Sequence, residues 1–242
     1  MLKEAIFSAL SNNSIITAFL FVGVVTALSY WISNHMTNGK IHGSAIAITI
    51  GLFLAYIGGY ISEGNKGLAD ISIFAGVGIL GGAMFRDFAI VATAFGVDLK
   101  HLKNAGVIGA ISIIFGVILS FIIGAIVALM FGYDDAVSIT TIGAGAATYI
   151  VGPVTGTALS ASSEVIALSV AVGLIKSILV MIMTPFIAPY IKLDNAESAM
   201  IFGGLMGTTS GVAGGLAATD PKLVPYGAMT ATFYTGVGCL LA

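Results

Sequence analysis

The chain has 242 residues, 58% of them hydrophobic and only 8% charged, with a mean hydropathy of +1.08 and a formal net charge of −2. A soluble domain carries about 25% charged residues, so this composition excludes a soluble globular protein and implies an integral membrane protein. The balance of charge leaves no basic footprint for nucleic acid, and the single cysteine, Cys239, rules out an intramolecular disulfide or a cysteine metal cluster.

The first residues, MLKEAIFSALSNNS, lack the small-residue cleavage site of a secretory signal. The first apolar span is therefore expected to remain as an anchor. A bilayer core needs about 20 apolar helical residues, and candidate spans fall at roughly 14–33, 42–62, 68–96, 105–132, 136–158, 164–191, 198–219 and 223–242. The pattern predicts an all-α polytopic membrane protein with four apolar segments in each of two halves, 1–132 and 133–242. The connections are short, which leaves no room for an extramembrane catalytic domain. Loops bearing Lys40 and the Lys100–Lys103 pair are candidates for the cytoplasmic side, and Tyr133-Asp134-Asp135, with no base, for the outside.

Three of the eight segments are poor continuous helices. Residues 68–96 carry Arg86-Asp87 near the middle, after Gly76, Gly78, Gly81 and Gly82. Residues 136–158 carry Gly152-Pro153 and six serines or threonines, and residues 198–219 read SAMIFGGLMGTTSGVAGGLAA. An interrupted helix survives in lipid only where protein or a wet cavity satisfies its freed backbone groups. All three are read as broken helices or re-entrant hairpins.

The halves also match at an offset of 122 residues. Gly81–Lys100 lies over Gly203–Lys222 without a gap, and Gly23, Thr26, Gly51 and Gly116 pair with Gly145, Thr148, Gly173 and Gly238. Duplicated, apolar, glycine-rich halves are the sign of a secondary transporter whose site lies between its repeats. Inverted repeats need an odd number of crossings per half. Four simple spans would instead give parallel repeats, so one broken segment must count differently.

Candidate site residues follow from the cost of charge at membrane depth. Arg86 suits a carboxylate, because its planar fork makes two parallel hydrogen bonds. Asp87 would neutralise it or hold a coupling cation; the ordinary alternative is that the pair caps or snorkels at a loop edge. Lys176, in VGLIKSILVMIM, would attract an anion, stand in for a bound cation, or pair structurally with Asp87 or with carbonyls at a helix break. Two hydroxyl clusters accompany these charges: Thr140, Thr141, Thr148, Thr155 and Thr157 in one broken segment, and Thr208, Thr209 and Ser210 in the other. Half-helix N-termini suit carboxylates, while hydroxyls and unwound carbonyls, as at Thr140 and Gly152, suit Na⁺. Taken singly, each threonine is more simply explained by a bond to its own backbone. Gly203, Gly207, Gly211 and Gly215 would form one bare face if their helix is continuous, either for close packing or for sliding. His35, His42 and His101 lack ligand spacing, and no nucleophile motif, P-loop or dinucleotide fingerprint occurs. Neither an enzyme nor an organic cofactor is expected.

The strings TTIGAGAATYIVGPVTG (Thr140–Gly156), GLIKSILVM (Gly173–Met181) and IFGGLMGTTSGVAGGLAATDPKLVPYGAMTATFYTG (Ile201–Gly236) resemble the MadM-type large subunit of bacterial malonate transporters, and GGAMFRDFAIVATAF (Gly81–Phe95) fits as well. The resemblance runs over essentially the whole chain. It implies Na⁺-coupled malonate uptake across the bacterial inner membrane, together with a small MadL-type membrane subunit, and is compatible with a higher oligomer. It assigns no ligands. A dianion carried toward a negative interior needs cotransported cations, since each charge costs about 2.3 kcal/mol per 100 mV. IKLDNAESAMIFGGLMGTTSGVAGG is more faintly similar to LrgB/CidB-type membrane proteins, which keeps open a channel or holin-like export protein as the rival reading.

Overall fold

The computed structural model describes residues 2–63, 67–80 and 99–241, and every regular element among them is helical. The chain forms two compact units, Met1–Ala92 and Thr93–Ala242. The first contains α1 (Leu2–Asn12), α2 (Ser14–Met36), α3 (Gly43–Ser62) and α4 (Ala75–Leu80), with 3₁₀ turns at Gly67–Asp70 and Ser72–Phe74. The second contains α5 (Leu99–Met130), α6 (Ala136–Ala147), α7 (Val151–Ala158), α8 (Ser163–Ile187), α9 (Ala196–Met206), α10 (Thr209–Ala217), a 3₁₀ turn at Pro221–Leu223 and α11 (Val224–Leu241).

Among the described residues, four helices are long and apolar enough to cross a membrane: α2, α3, Gly106–Met130 of α5, and α8. Their outer faces are those of a lipid-facing protein, with Ile108, Ile111 and Ile122 standing out along α5. Segments 136–158 and 198–219 arrive as pairs of short helices rather than single spans. Most of segment 68–96 lies outside the described residues, and with it Arg86 and Asp87.

In the first unit, α2 and α3 form a hairpin whose turn carries Asn38 and Gly39 at positive φ. Ser33 Oγ closes it by donating to Ile41 O at 2.6 Å. His42 caps α3: its Nδ1 accepts the Ser44 N–H at 3.3 Å, and its ring meets Tyr30 edge-on at 5.3 Å. Gly43 leaves the room Tyr30 needs, since a Cβ there would come within 2.6 Å of the ring. Burial lowers the His42 pKa from its ordinary value. Protonating Nδ1 also destroys the cap acceptor. The cap's contribution, about 1 kcal/mol, is thus complete above the unfolded-state pKa and is lost as pH falls through the lower folded one. The protection of the Ser44 amide, the ratio of its intrinsic to its observed exchange rate, should fall between pH 7.5 and 5.5, so that exchange slows by less than the base-catalysed intrinsic rate does and an excess appears. His42→Asn, a cap that does not titrate, should remove that excess; an equal excess in the variant would refute the assignment.

Both interrupted segments of the second unit share one construction, spaced 60 residues apart (Asp134 to Asp194). Each is entered through a residue at positive φ, Gly132 (88°) and Lys192 (52°). Each turn is closed by an equivalent backbone bond, Tyr133 N to Ala128 O at 3.1 Å and Leu193 N to Ala188 O at 3.0 Å. Asp135 then accepts from Ser138 N at 2.8 Å, and Asn195 from Ser198 N at 2.9 Å, capping α6 and α9. Hydrogen bonds from Ser138, side chain and then backbone, hold the Asp135 carboxyl below its ordinary range. The helices break at equivalent threonines. Thr148 turns extended (φ −153°, ψ 153°), and its hydroxyl accepts Ile150 N–H at 3.0 Å. Gly207 takes the left-handed conformation (φ 70°), and extended Thr208 caps α10.

The break also divides the glycine face that a continuous helix would have had. Gly203 lies against Gly227 and Thr230 of α11, whereas Gly211 and Gly215 lie against Ser177 and Thr184 of α8. A single stripe would need the helical register to continue through residue 207, and the left-handed turn there ends it.

Candidate functional site where two broken helices meet one helix turn

One turn of α8, Gly173 to Ser177, touches both breaks. Gly173 admits the first: a Cβ would come within 2.6 Å of Tyr149 Cα and 2.7 Å of Gly145 O, so only glycine permits this approach. Ser177 reaches the second, where its hydroxyl is hydrogen-bonded to that of Thr208. Between them Lys176 extends toward the end of α6.

The Lys176 ammonium donates to Ser120 Oγ at 2.9 Å, Ala146 O at 3.0 Å and Ala147 O at 2.9 Å. It also lies over the Tyr234 ring, 5.2 Å from its centroid. An ammonium has three donors, so all are engaged. Its position follows from the break. Because the chain leaves helical geometry at Thr148, the last carbonyls of α6 lose their intrahelical partners and present the negative end of the helix dipole. The cation satisfies two of them, and the aromatic face adds a further attraction. Tyr234 is fully buried. Its hydroxyl donates to Gly116 O at 3.0 Å, and its ring lies against Gly207 at the second break.

Thr148 and Thr208 are both buried at the breaks. Thr208 Oγ1 accepts Gly211 N–H at 3.3 Å as the cap of α10. Thr209 and Ser210, half-buried, form the first turn of that helix, with Thr209 Oγ1 3.5 Å from Thr232 Oγ1. Thr155 bonds back to Val151 O at 2.9 Å. Thr141 is fully buried and its hydroxyl has no hydrogen-bond partner, while Thr140 is half-buried on α6. Gly152 is a packing position: a Cβ would come within 2.8 Å of both Gly145 Cα and Ser169 Cβ. Among the described residues no group of His, Cys, Asp or Glu could hold a metal ion.

Sequence reasoning missed Ser120, Ser177 and Tyr234; it named carbonyls at a helix break among the possible partners of Lys176, and the structure supplies them as Ala146 O and Ala147 O. Lys176 itself was the available signal, since a cation at membrane depth must have partners. Nothing in the sequence singles out one tyrosine or serine on another helix, where Tyr234 and Ser120 lie, and Ser177, next to Lys176, gains its meaning only from Thr208 across the interface.

The family model for the malonate/sodium symporter MadM subunit matches residues 6–242. No curated protein and no solved structure matches the chain.

Proposed function

With the chain belonging to the MadM family of malonate/sodium symporter subunits, and so serving Na⁺-coupled malonate transport in a membrane rather than catalysis, we propose that the cage around Lys176 is where the two solutes are coupled. The carrying observation is that the ammonium's three N–H groups are spent on three oxygens, Ser120 Oγ, Ala146 O and Ala147 O. Such a set of hydroxyl and helix-end carbonyls also suits Na⁺. Water or a substrate carboxylate would complete the ion's coordination.

Na⁺ entering the cage displaces the ammonium. The freed charge, on its flexible stem, then becomes available to a malonate carboxylate, assisted by the free amides in the first turn of α10 at Thr209 and Ser210. Arg86 stays a candidate for binding a carboxylate and Asp87 for a share of the cation's charge, on the sequence argument alone. By linkage, Na⁺ raises malonate affinity and malonate raises Na⁺ affinity by the same factor. The shared turn, cap and break at a 60-residue spacing support a duplicated transporter core in the second unit, alongside the longer 122-residue correspondence between halves 1–132 and 133–242. A small MadL-type subunit is taken as the partner.

The test is malonate binding and uptake by the full chain with its small subunit in proteoliposomes, across Na⁺ concentrations. In the wild type, malonate affinity should rise with Na⁺. In Lys176→Gln it should be weak and independent of Na⁺, because no charge is left to release. Full Na⁺ dependence in the variant would overturn the cage mechanism. Malonate flux through the wild type without any Na⁺ requirement would favour the channel reading.

A further inference from the structure

Tyr234 belongs to neither broken helix, yet it touches the working parts of both. It has the largest side chain among the fully buried of the described residues. Its ring carries the Lys176 ammonium at 5.2 Å, and the same ring fills the space beside Gly207, where a Cβ would collide with three ring carbons. Its hydroxyl fixes the ring by donating to Gly116 O on α5 at 3.0 Å. Gly116 itself packs against the end of α9, where a Cβ would come within 2.9 Å of Leu205 Cα. The ring is thus held on one side by the frame of the second break and engaged with the cation of the first.

We propose that Tyr234 is a positioning residue that sets the Na⁺ affinity of the cage, by stabilising the ammonium that Na⁺ must displace. This rests on the reading of the cage as the coupling site. A ring face attracts a cation in addition to the oxygens beneath it, so removing the ring loosens the ammonium without removing any of the three oxygens. The sign of the effect is therefore opposite to that of ordinary damage. Na⁺ should bind more tightly when Tyr234 is lost, whereas a merely structural residue would weaken binding or lower the amount of folded protein. The contact with Gly207 gives the ring a second role. Movement of the second break shifts the ring, and with it the hold on Lys176, so the state of α9–α10 is felt at the end of α6.

The experiment measures half-saturation by Na⁺, from equilibrium binding of ²²Na⁺ and from malonate uptake, using the full chain with its small subunit. Tyr234→Leu is expected to lower half-saturating Na⁺ by about 3- to 30-fold, the range corresponding to one cation–π contact. Tyr234→Phe keeps the ring but loses the hydroxyl's bonds to Gly116 O and to Ser120, one of the cage oxygens, so it should shift the half-saturation by clearly less than Tyr234→Leu does. If the leucine variant does not yield folded protein, Tyr234→Met fills more of the space and carries the same expectation. In a Lys176→Gln background the Tyr234→Leu shift should vanish, since no ammonium is left to hold. An unchanged or raised half-saturation in Tyr234→Leu, or a phenylalanine variant that shifts as far as leucine, overturns the proposal. If Lys176→Gln uncouples malonate from Na⁺ as expected while Tyr234→Leu shifts nothing, the role of Tyr234 fails alone. If Lys176→Gln leaves coupling intact, the cage reading fails first.

Discussion

Gly203→Ala is expected to destabilise the second unit by about 2–4 kcal/mol, although it adds only one methyl group. The added Cβ would collide with the carbonyl oxygen of Gly227 and the hydroxyl of Thr230 on α11, and would come within 2.8 Å of Gly227 C. Backbone cannot swing aside as a long side chain can, so α9 and α11 must separate. Overpacking of this kind costs about 1–3 kcal/mol. Thr230 Oγ1 also donates to Met200 O at 2.8 Å and lies 3.1 Å from Gly227 O, and displacing it loses a further 0.5–1.5 kcal/mol, roughly one hydrogen bond. In lipid, helix association depends on such close packing, because the surrounding acyl chains are as apolar as the side chains. Gly23→Ala and Gly51→Ala are the controls. Nothing lies within 4 Å of a Cβ at either position, so alanine there should be neutral or stabilising by up to about 1 kcal/mol through helix propensity. Unfolding of the purified proteins in mixed micelles would compare them. A Gly203→Ala variant as stable as Gly51→Ala would show that α9 and α11 are not packed as described.

The same glycine argument explains what was legible in the sequence. Mean hydropathy and span length settled the class, and the four long helices α2, α3, α5 and α8 each overlap a segment drawn from hydropathy alone, with ends that differ by up to six residues. The interruptions near Thr148 and Gly207 were legible too, because glycine and threonine clusters are poor helix formers and their chemistry is local. Partners were not. That Lys176 would reach the carbonyls of Ala146 and Ala147 depends on which way α8 faces, and an almost uniformly apolar helix carries no periodic signal for its orientation. The cap at Asn195 illustrates a pattern that was readable and easily passed over: Asp134-Asp135-Ala136-x-Ser138 and Asp194-Asn195-Ala196-x-Ser198 are the same helix start 60 residues apart. It was obscured because the longer 122-residue correspondence draws attention to Gly81–Lys100, most of which lies outside the described residues. Glycines at an interval of four would share one face only if their helix were continuous; the segment reads as broken, and the left-handed turn at Gly207 places the break so that they serve two neighbours.

Thr208→Val is expected to lower both stability and malonate affinity, whereas Thr208→Ser should preserve both. Valine has nearly the same shape as threonine, so packing is conserved and the hydroxyl alone is tested. That hydroxyl accepts Gly211 N–H at 3.3 Å, capping α10, and is hydrogen-bonded to Ser177 on α8. Removing a cap costs about 1 kcal/mol, and removing a buried hydrogen bond about another 1 kcal/mol. Ser177 retains its bond to Gly173 O at 3.1 Å, so its own hydroxyl is not stranded and the loss should stop near 2 kcal/mol. The functional consequence is larger than the stability change suggests. Ser177 follows Lys176 directly, and the Ser177–Thr208 bond joins the helix turn holding the caged cation to the helix start offered to the carboxylate. If that bond transmits the Na⁺-dependent change, Thr208→Val should weaken malonate binding at saturating Na⁺ by about tenfold, equivalent to roughly 1.4 kcal/mol. Na⁺ binding measured without malonate should change little, since none of the three cage oxygens is altered. Equal weakening of Na⁺ and malonate binding would mean that the hydroxyl only supports the fold, and a valine variant indistinguishable from wild type would remove Thr208 from the site altogether.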